Sequence, residues 1–138
     1  MNGVSEKLII DTILAHYPEV QGIYLFGSYA TGNEWPESDM DVALLLPHEE
    51  AKEKGDLTLS QCKFELEDAL KKEVDLLNAR RVSTVFQKEI IQGKLILCAD
   101  RYAVDEFEML VISYYQKLNE ERKEILESFR RTGRAYSV

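Results

Sequence analysis

Ile23-Tyr24-Leu25-Phe26, then Gly27-Ser28-Tyr29-Ala30-Thr31-Gly32-Asn33-Glu34-Trp35-Pro36-Glu37-Ser38-Asp39-Met40-Asp41, then Val42-Ala43-Leu44-Leu45-Leu46: this stretch decides how the chain is read. Two apolar runs of strand length flank a polar segment that opens on Gly-Ser and closes on Asp-x-Asp. A strand that delivers the chain to Gly27 places a residue tolerant of strained dihedrals where a ligand can approach the backbone. Backbone N–H groups of such a turn, at the start of a short helical turn reaching about Thr31, suit a phosphate. Side chains alternate along a strand, so Asp39 and Asp41 emerge on one face with Cα atoms roughly 6–7 Å apart. Two carboxylates at that separation converge on a hard divalent cation, and Mg²⁺ is commonly held by one or two carboxylates plus substrate phosphates. A phosphate cradle beside a metal clamp is the equipment of phosphoryl or nucleotidyl transfer.

Outward from this stretch, helical and extended patterns alternate. Val4, Leu8, Ile9 and Ile13 recur at helical spacing, which predicts a first helix from about Val4 to His16, ended before Pro18. Strand one is Gly22–Phe26 and strand two runs from about Met40 to Leu46, stopped by Pro47. Residues 32–38 read as a polar loop carrying Trp35. The charged stretch from Pro47 to Asp56 reads as a surface loop. Leu59, Cys62, Leu66 and Leu70 give a second amphipathic helix, and Val74–Leu77 a short third strand holding Asp75. Ser83 is placed to cap a third helix with Val82, Phe86 and Ile90 on one side and Gly93 as its stop. Leu95–Cys98 is a fourth strand, and a long last helix begins near Val104, with Phe107, Leu110, Val111, Tyr114, Tyr115 and Leu118 in a wide apolar stripe. The pattern predicts a small α/β domain with helices on a mixed β-sheet. A single domain spans 1–138, with about 119–138 as a helical extension too polar to be buried by it.

Composition narrows the partners. The 138 residues carry a formal net charge of −8, and proteins that track nucleic acid need basic patches for counterion release; no direct nucleic-acid binding is expected. No apolar run approaches the roughly 20 residues that span a bilayer, and the first residues lack the basic segment and apolar core of a secretory signal. Cys62 and Cys98 show no zinc or disulfide spacing. A cytoplasmic protein is predicted, with no membrane association. His16 and His48 have no catalytic partner spacing, and Arg80-Arg81 reads as a solvated loop pair.

The Gly-Ser, ten residues, Asp-x-Asp segment resembles the signature of the DNA polymerase β-like nucleotidyltransferases. More narrowly, it is similar to the minimal nucleotidyltransferases found as antitoxins beside HEPN-type toxins. Val74-Asp75-Leu76-Leu77-Asn78 looks like that family's third-carboxylate strand, and Gln87 to Leu97 looks like its following helix, glycine and strand. Thr31 stands where the subgroup commonly has Arg. The resemblance implies two Mg²⁺ ions held by Asp39, Asp41 and Asp75, with ATP as nucleotide donor. Gly27 and Ser28 would hold its β- and γ-phosphates, and Asp75 could accept the proton of the attacking hydroxyl. It also implies a hetero-oligomer with a cognate HEPN-type toxin, AMP being transferred to a tyrosine hydroxyl of that ribonuclease. Two other readings are a binding-only antitoxin that masks its toxin, and a nucleotidyltransferase acting on a small molecule such as an aminoglycoside.

Overall fold

A computed structural model of the chain describes residues 3–27, 40–57 and 60–132. The elements are α1 (Gly3–His16), β1 (Gly22–Phe26), β2 (Met40–Leu45), α2 (His48–Lys54), α3 (Gln61–Leu70), β3 (Val74–Asn78), a 3₁₀ turn (Ala79–Arg81), α4 (Thr84–Ile91), β4 (Lys94–Cys98) and α5 (Arg101–Thr132). The strands form one mixed sheet in the order β3-β2-β1-β4. β1 runs antiparallel to β2 and to β4, while β2 and β3 are parallel.

The two-residue alternation of the strands sorts their side chains onto two cores. Ile23 and Leu25 of β1, Val42 and Leu44 of β2, and Val74 and Leu76 of β3 face α1, α2 and α3, where Ile9, Ile13, Ala51, Cys62 and Leu66 meet them. Tyr24, Phe26, Ala43 and Leu45 face the other way, onto Ile90 of α4 and Val104, Phe107 and Val111 of α5. Each fully buried large aliphatic or Phe side chain contributes roughly 1.5–3 kcal/mol, so the sheet is held from both faces. Tyr24 reaches through the second core to donate its hydroxyl to Glu108 Oε2 at 2.6 Å, tying β1 to α5.

Caps explain where the helices stop and start. The Ser60 and Ser83 hydroxyls accept the Lys63 and Phe86 N–H groups, both at 3.3 Å, opening α3 and α4. Asp100 Oδ1 accepts the Ala103 N–H at 3.0 Å, so α5 begins at Arg101, earlier than the apolar stripe suggests. Beyond Val111, Tyr115 still meets Lys88 Nζ of α4 at 5.1 Å, while Tyr114, Leu118, Ile125 and Leu126 are exposed. Residues 48–54, expected as loop, are helical: Ala51 turns inward, Pro47 occupies the N-cap and Gly55 at φ 59° ends the helix. A single inward alanine on an otherwise charged turn leaves almost no periodic signal. Gly93 is not a left-handed stop. A Cβ there would overlap the Leu25 carbonyl and come within 2.9 Å of Phe26 Cβ, so glycine is required because α4 and β4 press directly on β1.

Candidate active site

The topology brings three strand ends together. β1 finishes where the antiparallel β2 begins, and the parallel β3 begins beside it. Phe26 stands opposite Asp41, and Asp41 opposite Asp75. Neighbouring strands lie about 4.8 Å apart, and opposed residues project from the same face, so the Asp41 and Asp75 carboxylates leave the sheet side by side. Gly27 follows directly at φ +73°, and a Cβ on it would overlap Asp41 Oδ2. Any other residue there would meet the carboxylate and carry the cost of a left-handed backbone. The sequence-predicted Gly27, Asp41 and Asp75 therefore form one constellation. Asp39 and Ser28 lie outside the described residues, as do Tyr29, Thr31 and Trp35.

Charge makes this end of the sheet unusual. Asp75 is exposed and Asp41 half-buried, and two anions this near repel unless a cation lies between them. Carboxylate oxygens are the donors that a hard cation such as Mg²⁺ takes, so Asp41 and Asp75 fit one. Among the described residues no group of three or more His, Cys, Asp or Glu side chains forms a complete metal site.

A cavity of about 570 Å³ adjoins Asp75, lined also by Lys63, Glu67, Lys71, Lys72, Glu73 and Val74. Sequence reasoning did not single out Glu67 or Lys63. The Glu67 carboxyl is held below the usual range, first by the N–H of Val74 and further by Lys63. Phe26, the last residue of β1, meets Phe86 edge-to-face at 6.0 Å, bracing the strand that leads to Gly27.

The far end of the sheet is closed by polar side chains. Buried Asn78 donates to the carbonyls of Ala51 and Gly55 at 3.0 and 2.9 Å. Arg80, expected to be solvated, is instead half-buried; it donates from Nε to the Leu46 carbonyl at 2.6 Å and from Nη2 to Gln21 Oε1 at 2.7 Å. Burial pulls its guanidinium below the ordinary arginine value. Only Arg81 of the pair is exposed. His16 sits 2.6 Å from Glu65 across α1 and α3, away from the carboxylates. Among the described residues no helix is long and apolar enough to cross a membrane.

A mixed sheet that gathers a glycine turn and facing carboxylates at one end is the architecture of a nucleotidyltransferase. The family described as Polymerase beta, Nucleotidyltransferase matches residues 9–102, and the chain belongs to it. The protein adenylyltransferase MntA of Shewanella oneidensis is 34% identical over 128 residues, covering 92% of this chain and 88% of that protein. Among solved structures, a toxin–antitoxin complex with AMP-PNP superposes at TM-score 0.70 with 31% identity, over 91% of this chain and 98% of the other. The MNT antitoxin bound to a tri-AMPylated Shewanella oneidensis HEPN toxin gives 0.67 and 29%, over 94% and 99%.

Proposed function

We propose that this chain is an antitoxin that transfers AMP from ATP to a tyrosine hydroxyl of a cognate HEPN-type ribonuclease, in the cytoplasm and as a hetero-oligomer with it. The observation that carries this reading is the seating of Gly27 against Asp41, with Asp75 opposed in register on the next strand. The 34% identity to a protein adenylyltransferase supports the choice of donor and acceptor class.

Gly27 and Ser28 hold the β- and γ-phosphates, and Asp39, Asp41 and Asp75 are the ligands for two Mg²⁺ ions. When bound, such ions orient the acceptor oxygen and neutralise charge on the phosphates. The acceptor hydroxyl oxygen bonds to the α-phosphorus, the bond from that phosphorus to the bridging oxygen breaks, and pyrophosphate departs. Asp75, at the open edge of the site, accepts the hydroxyl proton. The protein's share is positioning and fixed charge more than covalent chemistry. AMP placed on the toxin adds negative charge that repels RNA phosphate.

One nucleotidyltransferase domain over 1–138 is the proposed organisation, with about 119–138 as a segment that docks the partner. The exposed residues Tyr114, Leu118, Ile125 and Leu126 of α5 belong to the surface that docks the partner. In cells, Asp39→Asn with Asp41→Asn should bind the toxin and fail to neutralise it. Protection equal to wild type by that variant, with binding retained, would show that masking alone suffices.

A further inference from the structure

The α3–β3 turn is fastened by one side chain that no catalytic role accounts for. The Met40 N–H donates to the Glu73 carbonyl at 2.9 Å, so the backbone of Glu73 faces β2, and that of the next residue, Val74, faces outward. β3 is the edge of the sheet, and no described strand lies beyond it to receive the Val74 N–H. The Glu67 carboxylate takes it, with Val74 N at 2.9 Å from Oε2. The other oxygen, Oε1, lies 3.2 Å from Lys63 Nζ one helical turn back. The backbone carbonyl of Glu67 also accepts the Lys71 N–H at 2.8 Å. One residue thus closes the Lys71–Glu73 turn at both ends, across a left-handed lysine at φ 56°.

That turn feeds both carboxylate strands. Asp75 is the residue after Val74, in register with Asp41. Met40, whose N–H lands on Glu73, stands between Asp39 and Asp41 in the chain. A displacement of Glu73 and Val74 would therefore move Asp75 relative to Asp41, and a buried or edge donor left without its acceptor invites such a displacement.

We propose that Glu67 is a positioning residue of the transfer site, setting the β2–β3 carboxylate separation by holding the Val74 N–H from outside the sheet. This rests on the assignment of Asp75 as a metal ligand. Groups that orient ligands from behind typically cost about 10–100-fold in metal affinity or activity when removed.

The test uses the full chain with its HEPN partner, following AMP addition by intact mass well below the unfolding temperature while Mg²⁺ is titrated. Glu67→Ala should raise by roughly 10-fold both the Mg²⁺ concentration for half-maximal rate and the Mg²⁺ concentration at which ATP raises the melting temperature, and lower kcat by a similar factor. Glu67→Gln keeps an oxygen for the Val74 N–H while giving up the ion pair to Lys63, and should recover most of both losses. Should Glu67→Ala not fold, Glu67→Asp, which withdraws the carboxylate by one methylene, carries the same expectation. A variant that loses only melting temperature, with Mg²⁺ dependence and kcat at wild-type values, overturns the proposal. Asp75→Asn is the control for the assignment beneath it. If that variant is fully active, Asp75 is not a ligand and the role of Glu67 falls with it. If it is inactive while Glu67→Ala is normal, only the role of Glu67 falls.

Discussion

The two ends of the sheet use polar residues in opposite ways. At the far end, Asn78 and Arg80 spend their donors on the carbonyls of Ala51, Gly55 and Leu46, and on Gln21. Those contacts lock α2 and the 3₁₀ turn onto the strands. At the near end, Asp41 and Asp75 stand in facing register, with Gly27 pressed against the first and the second open to solvent. The far-end donors are spent on backbone and side-chain acceptors of the fold itself. The near-end carboxylates instead face each other across two strands, an arrangement that fits a hard cation. Substitutions at the near end should therefore cost activity and at the far end stability.

Gly27→Ala should show the largest effect. An added methyl meets Asp41 Oδ2, and loss of the backbone approach to the phosphates should lower the rate of AMP transfer by roughly 10²–10³-fold. Stability should fall by only about 1–2 kcal/mol for the left-handed backbone, which a denaturant titration would separate from the kinetic loss. Equal activity would place the donor elsewhere.

Asn78→Ala should behave in reverse. It withdraws the side-chain donor from the Ala51 and Gly55 carbonyls, and should cost about 2 kcal/mol with the rate per folded molecule unchanged. A loss of rate at constant stability would mean that the two ends are not separable.

A pH dependence of stability is set in the cores. Burial raises the Tyr17 hydroxyl; burial and then Glu108 raise that of Tyr24; and burial pushes the Cys62 thiol up to about 12. Acids whose folded values are raised keep their protons when the unfolded chain has lost them, so stability falls as pH climbs above the ordinary thiol value. Each fully differential proton contributes about 1.4 kcal/mol per pH unit. Thermal melts between pH 8 and 11 should show the decline, and Cys62→Ala should flatten part of it. A melting temperature that rises over this range would contradict the sign.

Much of this contrast is legible in the sequence, unevenly. Gly27, Asp41 and Asp75 declare themselves because polar residues interrupt apolar runs at fixed spacing, and strand pairing then leaves them little freedom. The sheet and the last helix follow from the same periodicity. The anchors are hidden. Glu67 looks like any surface glutamate of an amphipathic helix, because its partner is a backbone N–H whose direction depends on β3 being an edge strand. Arg80 reads as solvated because its acceptors, Leu46 and Gln21, are distant in the chain. The helix at 48–54 escapes notice since Ala51 is its single buried residue. Long-range hydrogen bonds leave no periodic trace, whereas burial does.

Transfer of AMP from the near end of the sheet onto a partner protein can be read directly. The most direct measurement is intact mass spectrometry of the cognate HEPN protein, incubated with this chain, ATP and Mg²⁺, beside a parallel reaction with Asp41→Asn. A gain of whole AMP units on the partner is expected with the wild-type chain, none in EDTA, and none with the folded variant. A partner whose mass is unchanged by the wild-type chain while its ribonuclease is silenced, or one modified equally well by Asp41→Asn, would contradict it.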